Sequence, residues 1–417
     1  MAQERSAKPL LASSQIWVNK GTPMPVQRGW NFLQTPGPTN IPNRILNAMH
    51  RPAIEFLGPD FMAFSDKIFS NLKTIFKTEG QPFVYAANGH GAWEAAISNV
   101  LAPGDKVLVP ETGRFALSWV HMANMLHIGC EVLPNDHRQA MRPVDVAERL
   151  ARDTTHEIKA VLLVHVDTSN GIVADVAGVR AAIDEAKHPA LLMVDTIASL
   201  MTTDFCMDEW GVDVTIAAGQ KGLMLPPGLS FCVANDRALD IADQNKAMPR
   251  SYWDWRDRLD EEVFYKAYCG TAPEHLLFGL EAAIDMLQEE GFDNVFVRHA
   301  RLAKAVHAAV DKWAEAGALE LCAINPDERS NSVTTILVND AYDPLELRAI
   351  CRDRFNIGLG NGMGQFMDNS FRIGHMGDLN EAMIFGVLGA VEAGLKLAGI
   401  PYAPGGLNAA IDFLTGD

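Results

Sequence analysis

VTIAAGQKGLMLPPGLSFCVA, residues 214–234, holds two short apolar runs, VTIAA (214–218) and LSFCVA (229–234), around a turn of glycines, prolines and a single lysine, Lys221. Each run is apolar at consecutive positions rather than alternate ones. A strand formed from it therefore buries both faces, as in a sheet covered by helices on two sides. The same texture recurs upstream in PFVYAA (82–87), KVLVP (106–110), KAVLLVHV (159–166) and ALLMVD (190–195). Between most of these runs lie segments of helical spacing, such as GAWEAAISNVLA (91–102) and DVAGVRAAIDEAKH (175–188). This alternation predicts an α/β fold built on a mainly parallel central sheet between helices.

Working outward, the first thirty residues are polar and carry Pro9, Pro23 and Pro25, which reads as an N-terminal arm over 1–30 ordered only by docking. TPGPTNIP (35–42) is too rich in proline for a helix or a central strand. Beyond about residue 275 longer helices take over, with SVTTILV (332–338) and FRIGHM (371–376) as further strands. The expected division is a large domain over 31–290 and a smaller α+β C-terminal domain over 291–417.

The 417 residues carry 35 Lys+Arg against 52 Asp+Glu, a net charge of −17. That balance argues against nucleic acid or an anionic membrane as partner. The six cysteines are scattered with no CxxC pair and no zinc-ligand spacing, so they read as reduced thiols of a cytoplasmic protein with no metal site. The start, MAQERSAKPLLASSQIW, shows no export signal, and no apolar run reaches membrane-spanning length.

In a parallel sheet ligands bind beyond the carboxyl ends of the strands, so the residues just after each apolar run are the ones to inspect. NGHGAWEA (88–95) follows PFVYAA and opens a helix whose first N–H groups and dipole favour a phosphate, although glycine turns join strands to helices in many settings. Asp195 ends ALLMVD, where a loop or helix-cap carboxylate is the simpler reading. Lys221 follows VTIAAGQ with no acidic residue in its segment, and a desolvated ammonium without a partner shifts toward its neutral form. A lysine, an acid and a phosphate cradle at neighbouring strand ends suit pyridoxal 5′-phosphate (PLP). That cofactor needs an amine to bond, a carboxylate at its pyridine nitrogen and an anchor for its phosphate.

TPGPTNIP, NGHGAWEAAISN, HVDTSNG, VDTIAS, GQKGLMLPPGLSF and FRIGHMGD, in this order and spacing, resemble the alanine/serine–glyoxylate aminotransferase group of the class V aminotransferases, of PLP fold type I, over roughly residues 31–400. The resemblance implies that Lys221 bonds the cofactor as a Schiff base and shuttles the proton, while Asp195 pairs with the pyridine nitrogen. It implies cofactor contacts at Gly89, His90, Thr168, Ile197 and Gln220, with Phe115 stacked on the ring. Arg372 would take the substrate α-carboxylate, with Pro38, Thr39 and Asn40 beside it. Tyr268 and Thr271 of YCGTAPE would reach the phosphate of a neighbouring subunit, making a homodimer with shared active sites, with a tetramer left open. The reaction implied moves the amino group of a small amino acid, of serine, alanine or aspartate type, to a 2-oxo acid such as glyoxylate or pyruvate.

Two segments depart from the family pattern. Ala272 stands where relatives have proline, and Phe56, Leu57 and Gly58 stand where they often have His-Arg-Ser, which removes a positive charge and leaves substrate choice open. A lyase or desulfurase is the alternative, but it wants a cysteine on a mobile loop and Cys351 falls in the helical LRAICRDRF. GLGNGMGQF (358–366) reads as a flexible loop, and Tyr252, Trp253 and Trp255 as interface or channel. Arg250, Arg256 and Arg258 are an ion-paired face or a second anion site. His165 and Asp167 read as groups that orient a loop rather than a metal pair.

Overall fold

The computed structural model describes residues 29–260 and 263–416; the arm expected over 1–30 lies outside them except for Gly29 and Trp30. In chain order the strands are β1 (Phe32–Gln34), β2 (Gln81–Tyr85), β3 (Lys106–Pro110), β4 (Gly129–Leu133), β5 (Ile158–Val164), β6 (Val166–Asp167), β7 (Ile172–Val173), β8 (Leu191–Asp195), β9 (Val214–Ala218), β10 (Ser230–Ala234), β11 (Leu319–Leu321), β12 (Val333–Val338), β13 (Ile357–Asn361) and β14 (Ser370–Gly374).

Seven of them form the central sheet in the order β2-β10-β9-β8-β5-β3-β4. Neighbours from β9 to β4 run parallel, and only β10 runs against its neighbours β2 and β9. The sheet is covered on both faces, as the apolar runs require. Along β8, Leu192 and Val194 join one core with helices Pro59–Phe76, Val176–Glu185 and Glu274–Glu290, while Leu191 and Met193 join the other with Gly89–Val100 and Arg114–Met125.

A second sheet, β1-β13-β14-β12-β11, is antiparallel except for the parallel pair β1 and β13. Its core is shared with helices Phe292–Ala314, Pro344–Phe355 and Glu381–Ala398. Residues 32–34 thus pair with a strand more than 300 positions later in the chain, and the proline-rich segment after them spans from this sheet to the central one.

The glycine-rich stretch expected to be a loop is in part strand β13. Its bare positions are required by what crosses them: a Cβ on Gly360 would lie 2.8 Å from Pro36 Cδ and 3.0 Å from Arg372 Cβ. The RSYWDWRDR segment is core rather than channel or interface at two of its positions. Trp255 is buried, stacked on Phe83 at 5.0 Å, and donates to the Tyr85 hydroxyl at 2.7 Å. Arg258 is buried between the rings of Tyr85 and Tyr252 and spends its N–H groups on the carbonyls of Val84, Tyr252 and Ala267. Arg250 likewise donates to the carbonyls of Asn245 and Ala242, and Arg256 is ion-paired with Asp254. No helix of the described residues is long and apolar enough to cross a membrane.

Candidate active site

β8 and β9 are parallel neighbours, with Asp195 opposite Ile216 in register. Asp195 ends β8 and Lys221 lies three residues past the end of β9, so both stand at the carboxyl edge of the sheet. Asp195 is buried, its Oδ1 accepting from the N–H of Ile197 at 2.7 Å and its Oδ2 from the indole N–H of Trp93 at 2.9 Å. Burial lifts its carboxyl to about 7; the two N–H donors and Lys221 oppose the rise, and Asp167 adds to it. The amine of Lys221 is lowered to about 8 by burial first, then by the Arg372 guanidinium, against the pull of Asp195. An acid held near neutrality and an amine held near neutrality therefore share one field.

The Lys221 Nζ donates to the carbonyl of Pro36, in the segment that bridges the two sheets. Gly37 lies directly on that side chain: a Cβ there would sit 2.5 Å from Lys221 Cδ and 2.7 Å from Nζ, at a φ of +87°. Gly37→Ala should cost about 1–2 kcal/mol of stability from the left-handed backbone alone and displace the amine. Thermal melting together with the rate at which Lys221 captures an added aldehyde checks both effects. Thr39 is buried and its hydroxyl lies 3.5 Å from the Lys221 carbonyl; the Pro38 carbonyl accepts from Thr35, and Asn40 bonds both backbone groups of Leu33.

Helix Gly89–Val100 starts beside Asp195. A Cβ on Gly89 would come within 2.3 Å of Ile197 Cδ1, so the helix start and the acid loop touch only because Gly89 is bare. Asn88 caps this helix by accepting from the N–H groups of His90 and Gly91. His90 is exposed, its imidazole lowered by partial burial and by Arg114. Gln220, next to Lys221, has a buried Oε1 with no hydrogen-bond partner among the described residues.

Helix Arg114–Met125 starts on the other flank. Asp167 fixes it: Oδ2 accepts from the N–H of Phe115 at 2.7 Å and of Ala116 at 3.3 Å, and Oδ1 accepts from the N–H and hydroxyl of Ser169. With both oxygens so committed, Asp167 is a loop-holding group, as the sequence suggested. His165 is buried against Phe205 and Trp210.

From the second sheet, β14 brings Arg372. It is buried, donates through Nη1 to the Thr168 carbonyl at 2.8 Å and through Nε to the Asn361 carbonyl at 2.6 Å, and forms no ion pair among the described residues. Burial lowers its guanidinium to about 10; Asp167 opposes this and Arg348 adds to it. Tyr268 and Thr271 stand apart. The Tyr268 hydroxyl is buried against Ser65 at 2.6 Å, whereas Thr271 is exposed. Cys351 is buried inside its helix with its thiol pushed up to about 12, so it is no nucleophile.

The class V aminotransferase sequence family matches residues 32–365. The chain belongs to that family. It is 41% identical to serine–glyoxylate aminotransferase of Hyphomicrobium methylovorum over 92% of this chain and 94% of that protein. It is 37% identical to L-aspartate–glyoxylate aminotransferase of Paracoccus denitrificans over 90% of this chain and 93% of that one. The crystal structure of pyridoxamine–pyruvate aminotransferase from Mesorhizobium loti superimposes with a TM-score of 0.84 at 25% identity, covering 93% of this chain and 97% of that chain.

This aminotransferase is PLP-dependent, and its residues fit the cofactor. Lys221 offers an amine near neutrality, and Asp195 is a buried acid that lacks a full cationic partner. Beside them are a buried Gln220 oxygen without a partner among the described residues, adjacent in sequence to Lys221, and the bare start of helix Gly89–Val100, against the Asp195 loop. Reading the sequence missed three participants: Trp93, the Pro36 carbonyl and Gly37. Trp93 had a usable sign, a large aromatic one helical turn after the glycine that starts the helix. The other two act through backbone placement, which no residue type announces.

Proposed function

We propose that this aminotransferase moves the amino group of a small amino acid, of serine, alanine or aspartate type, to a small 2-oxo acid such as glyoxylate or pyruvate. The observation that carries this reading is Arg372. A buried guanidinium without an acidic partner is costly unless an anion completes it, and a planar fork suits an α-carboxylate held bidentately. Lys221 supplies the amine that bonds the cofactor and moves the proton at the substrate α-carbon. Asp195 takes the pyridine nitrogen, Phe115 the ring face, and Gly89, His90, Ile197, Thr168 and Gln220 the remaining contacts. PLP, when bound, supplies the electron sink that makes the α-carbon acidic. Pro38, Thr39 and Asn40 shape the floor on which the substrate lies.

The relatives named for serine and for aspartate support a glyoxylate-type acceptor and leave the donor among these classes. Exposed Thr271 supports a homodimer in which that residue serves the neighbouring site, whereas Tyr268 is committed to Ser65 within its own protomer. The six unpaired thiols support a cytoplasmic setting.

Visible absorption of the cofactor-loaded protein, followed while serine, alanine and aspartate are added singly without acceptor, identifies the donor as the one that bleaches the cofactor band. If none of the three changes the spectrum, the reading fails. Arg372→Gln should raise the KM for that donor by roughly 10²-fold, the worth of charge-assisted hydrogen bonds at about 1.5–3 kcal/mol each. Arg372→Lys should restore little of it, since one ammonium cannot reproduce the fork.

A further inference from the structure

Asp195 is held from two directions. Its Oδ1 is fixed by its own loop through the Ile197 N–H, a contact any residue at 197 other than proline would supply. Its Oδ2 is fixed by Trp93, which comes from a different element and has one donor to give. Trp93 is itself immobile: it is buried, stacks on Trp119 with ring centroids 5.7 Å apart at 14°, touches the His90 ring at 4.5 Å and meets Phe115 edge-on at 6.4 Å. Helix Gly89–Val100, which carries it, is set against the acid loop by the bare Gly89. The indole therefore joins the acid to both flanks of the cradle, the start of that helix at His90 and the start of helix Arg114–Met125 at Phe115.

We propose that Trp93 is a positioning residue for Asp195, its indole N–H holding the carboxylate ionised and fixed in orientation for the pyridine nitrogen of the cofactor. A carboxylate in an apolar setting gains most from donors that favour its charged form, and a donor on a stacked indole does not have to be ordered when the ligand arrives. Aimed at one oxygen, it also prevents the carboxyl group from rotating. A phenyl ring at 93 keeps most of the packing and removes only the donor. Without it the acid binds its proton more tightly, and a neutral acid no longer favours a protonated pyridine.

The inference rests on Asp195 facing the pyridine nitrogen, and the test separates the two claims. Affinity is measured by equilibrium titration of the apo protein with PLP and with 1-deazapyridoxal 5′-phosphate, in which carbon replaces that nitrogen. Trp93→Phe should weaken PLP by about tenfold, the value of one hydrogen bond to a charged group, and leave the deaza analogue unchanged. Trp93→His, which retains an N–H, should recover part of the loss. Equal weakening of both ligands, or of neither, overturns the role of Trp93. Asp195→Asn is the control: it should weaken PLP and spare the deaza analogue, and if it does not, the placement of Asp195 is what fails.

A second measurement needs no variant at Trp93. In wild-type apo protein the ¹⁵N signal of one indole N–H should follow the titration of a buried carboxyl and cease to do so in Asp195→Asn. No indole signal responding in this way would overturn the proposal.

Discussion

Lys221→Ala removes turnover, by about 10⁴-fold or more, and leaves the fold intact. The first half follows from what else stands at the site. Proton transfer by a positioned group is worth about 10²–10⁴-fold, and loss of the covalent amine adds to it. His90 is exposed and Asp195 is enclosed by two N–H donors, so neither replaces a base whose amine is lowered to about 8. The second half follows from the cause of that lowering. Burial and the Arg372 guanidinium both disfavour an ammonium here, and Asp195 only partly offsets them. A base whose folded value lies below its unfolded one favours the fold least at pH values where it is charged in both states. At neutral pH the apo variant should therefore melt no lower than the wild type, the Pro36 contact being the one hydrogen bond of the amine that is lost. Scanning calorimetry at pH 7 beside a transamination assay checks both halves. A variant that retains turnover removes Lys221 from the chemistry.

The large sheet was legible because burial on both faces leaves a mark that does not depend on context. β2, β3, β5, β8, β9 and β10 all grow from consecutive apolar residues. β4 left no such mark. It lies at the edge of the sheet, its Gly129 is exposed, and its Glu131 faces outward to pair with Lys106 and Arg149. β13 was misread for the opposite reason: its glycines, which normally weaken a strand, are what let Pro36 and Arg372 cross it.

Lys221 and Asp195 could be found from strand ends alone, because an acid or a cation without a local partner stands out against an apolar run. Arg372 could not, since it lies within a strand of the other sheet and acquires meaning only when the fold sets Thr168 and Asn361 around it. Pro36 escaped for a related reason: it acts through a carbonyl that every residue has.

Acid should unfold the cofactor-free protein steeply, and the cause lies mostly outside the active site. His165, His299, His307 and His375 are all buried. Burial holds His299 to about 3 and His165 and His375 to about 4, and it drives His307 well below its ordinary value with His375 adding to the effect. The bonding fixes one of them, His299, as a neutral ring. His299 donates from Nδ1 to the Val295 carbonyl at 2.7 Å, which leaves Nε2 to accept the Gly377 N–H at 3.0 Å. His375 bonds the Asn331 carbonyl through Nδ1 and the Thr334 hydroxyl through Nε2, both at 2.8 Å.

The sign follows from linkage. The folded values lie below the unfolded one near 6.5, so below that pH the unfolded chain binds protons the folded chain refuses. Stability is present above about pH 6.5 and is lost as pH falls toward the folded values. Asp195 works in reverse, since its folded value of about 7 lies above its unfolded one and acid initially favours its folded state. Four histidines against one acid leave about three protons, or on the order of 4 kcal/mol per pH unit at about 1.4 kcal/mol per proton. Against a total stability of about 5–15 kcal/mol, the fold should fail within about two to three units below pH 6.5. His375 and Gly377 follow directly on β14, so the strand that carries Arg372 loses its support early.

Urea unfolding at half-unit steps from pH 7.5 to 4.5 measures the slope. His165→Leu, at a ring whose Nδ1 has no hydrogen-bond partner among the described residues, should flatten it by about 1.4 kcal/mol per pH unit while keeping neutral-pH stability. A stability that stays level between pH 6.5 and 5 would mean that these rings take up protons without opening the fold.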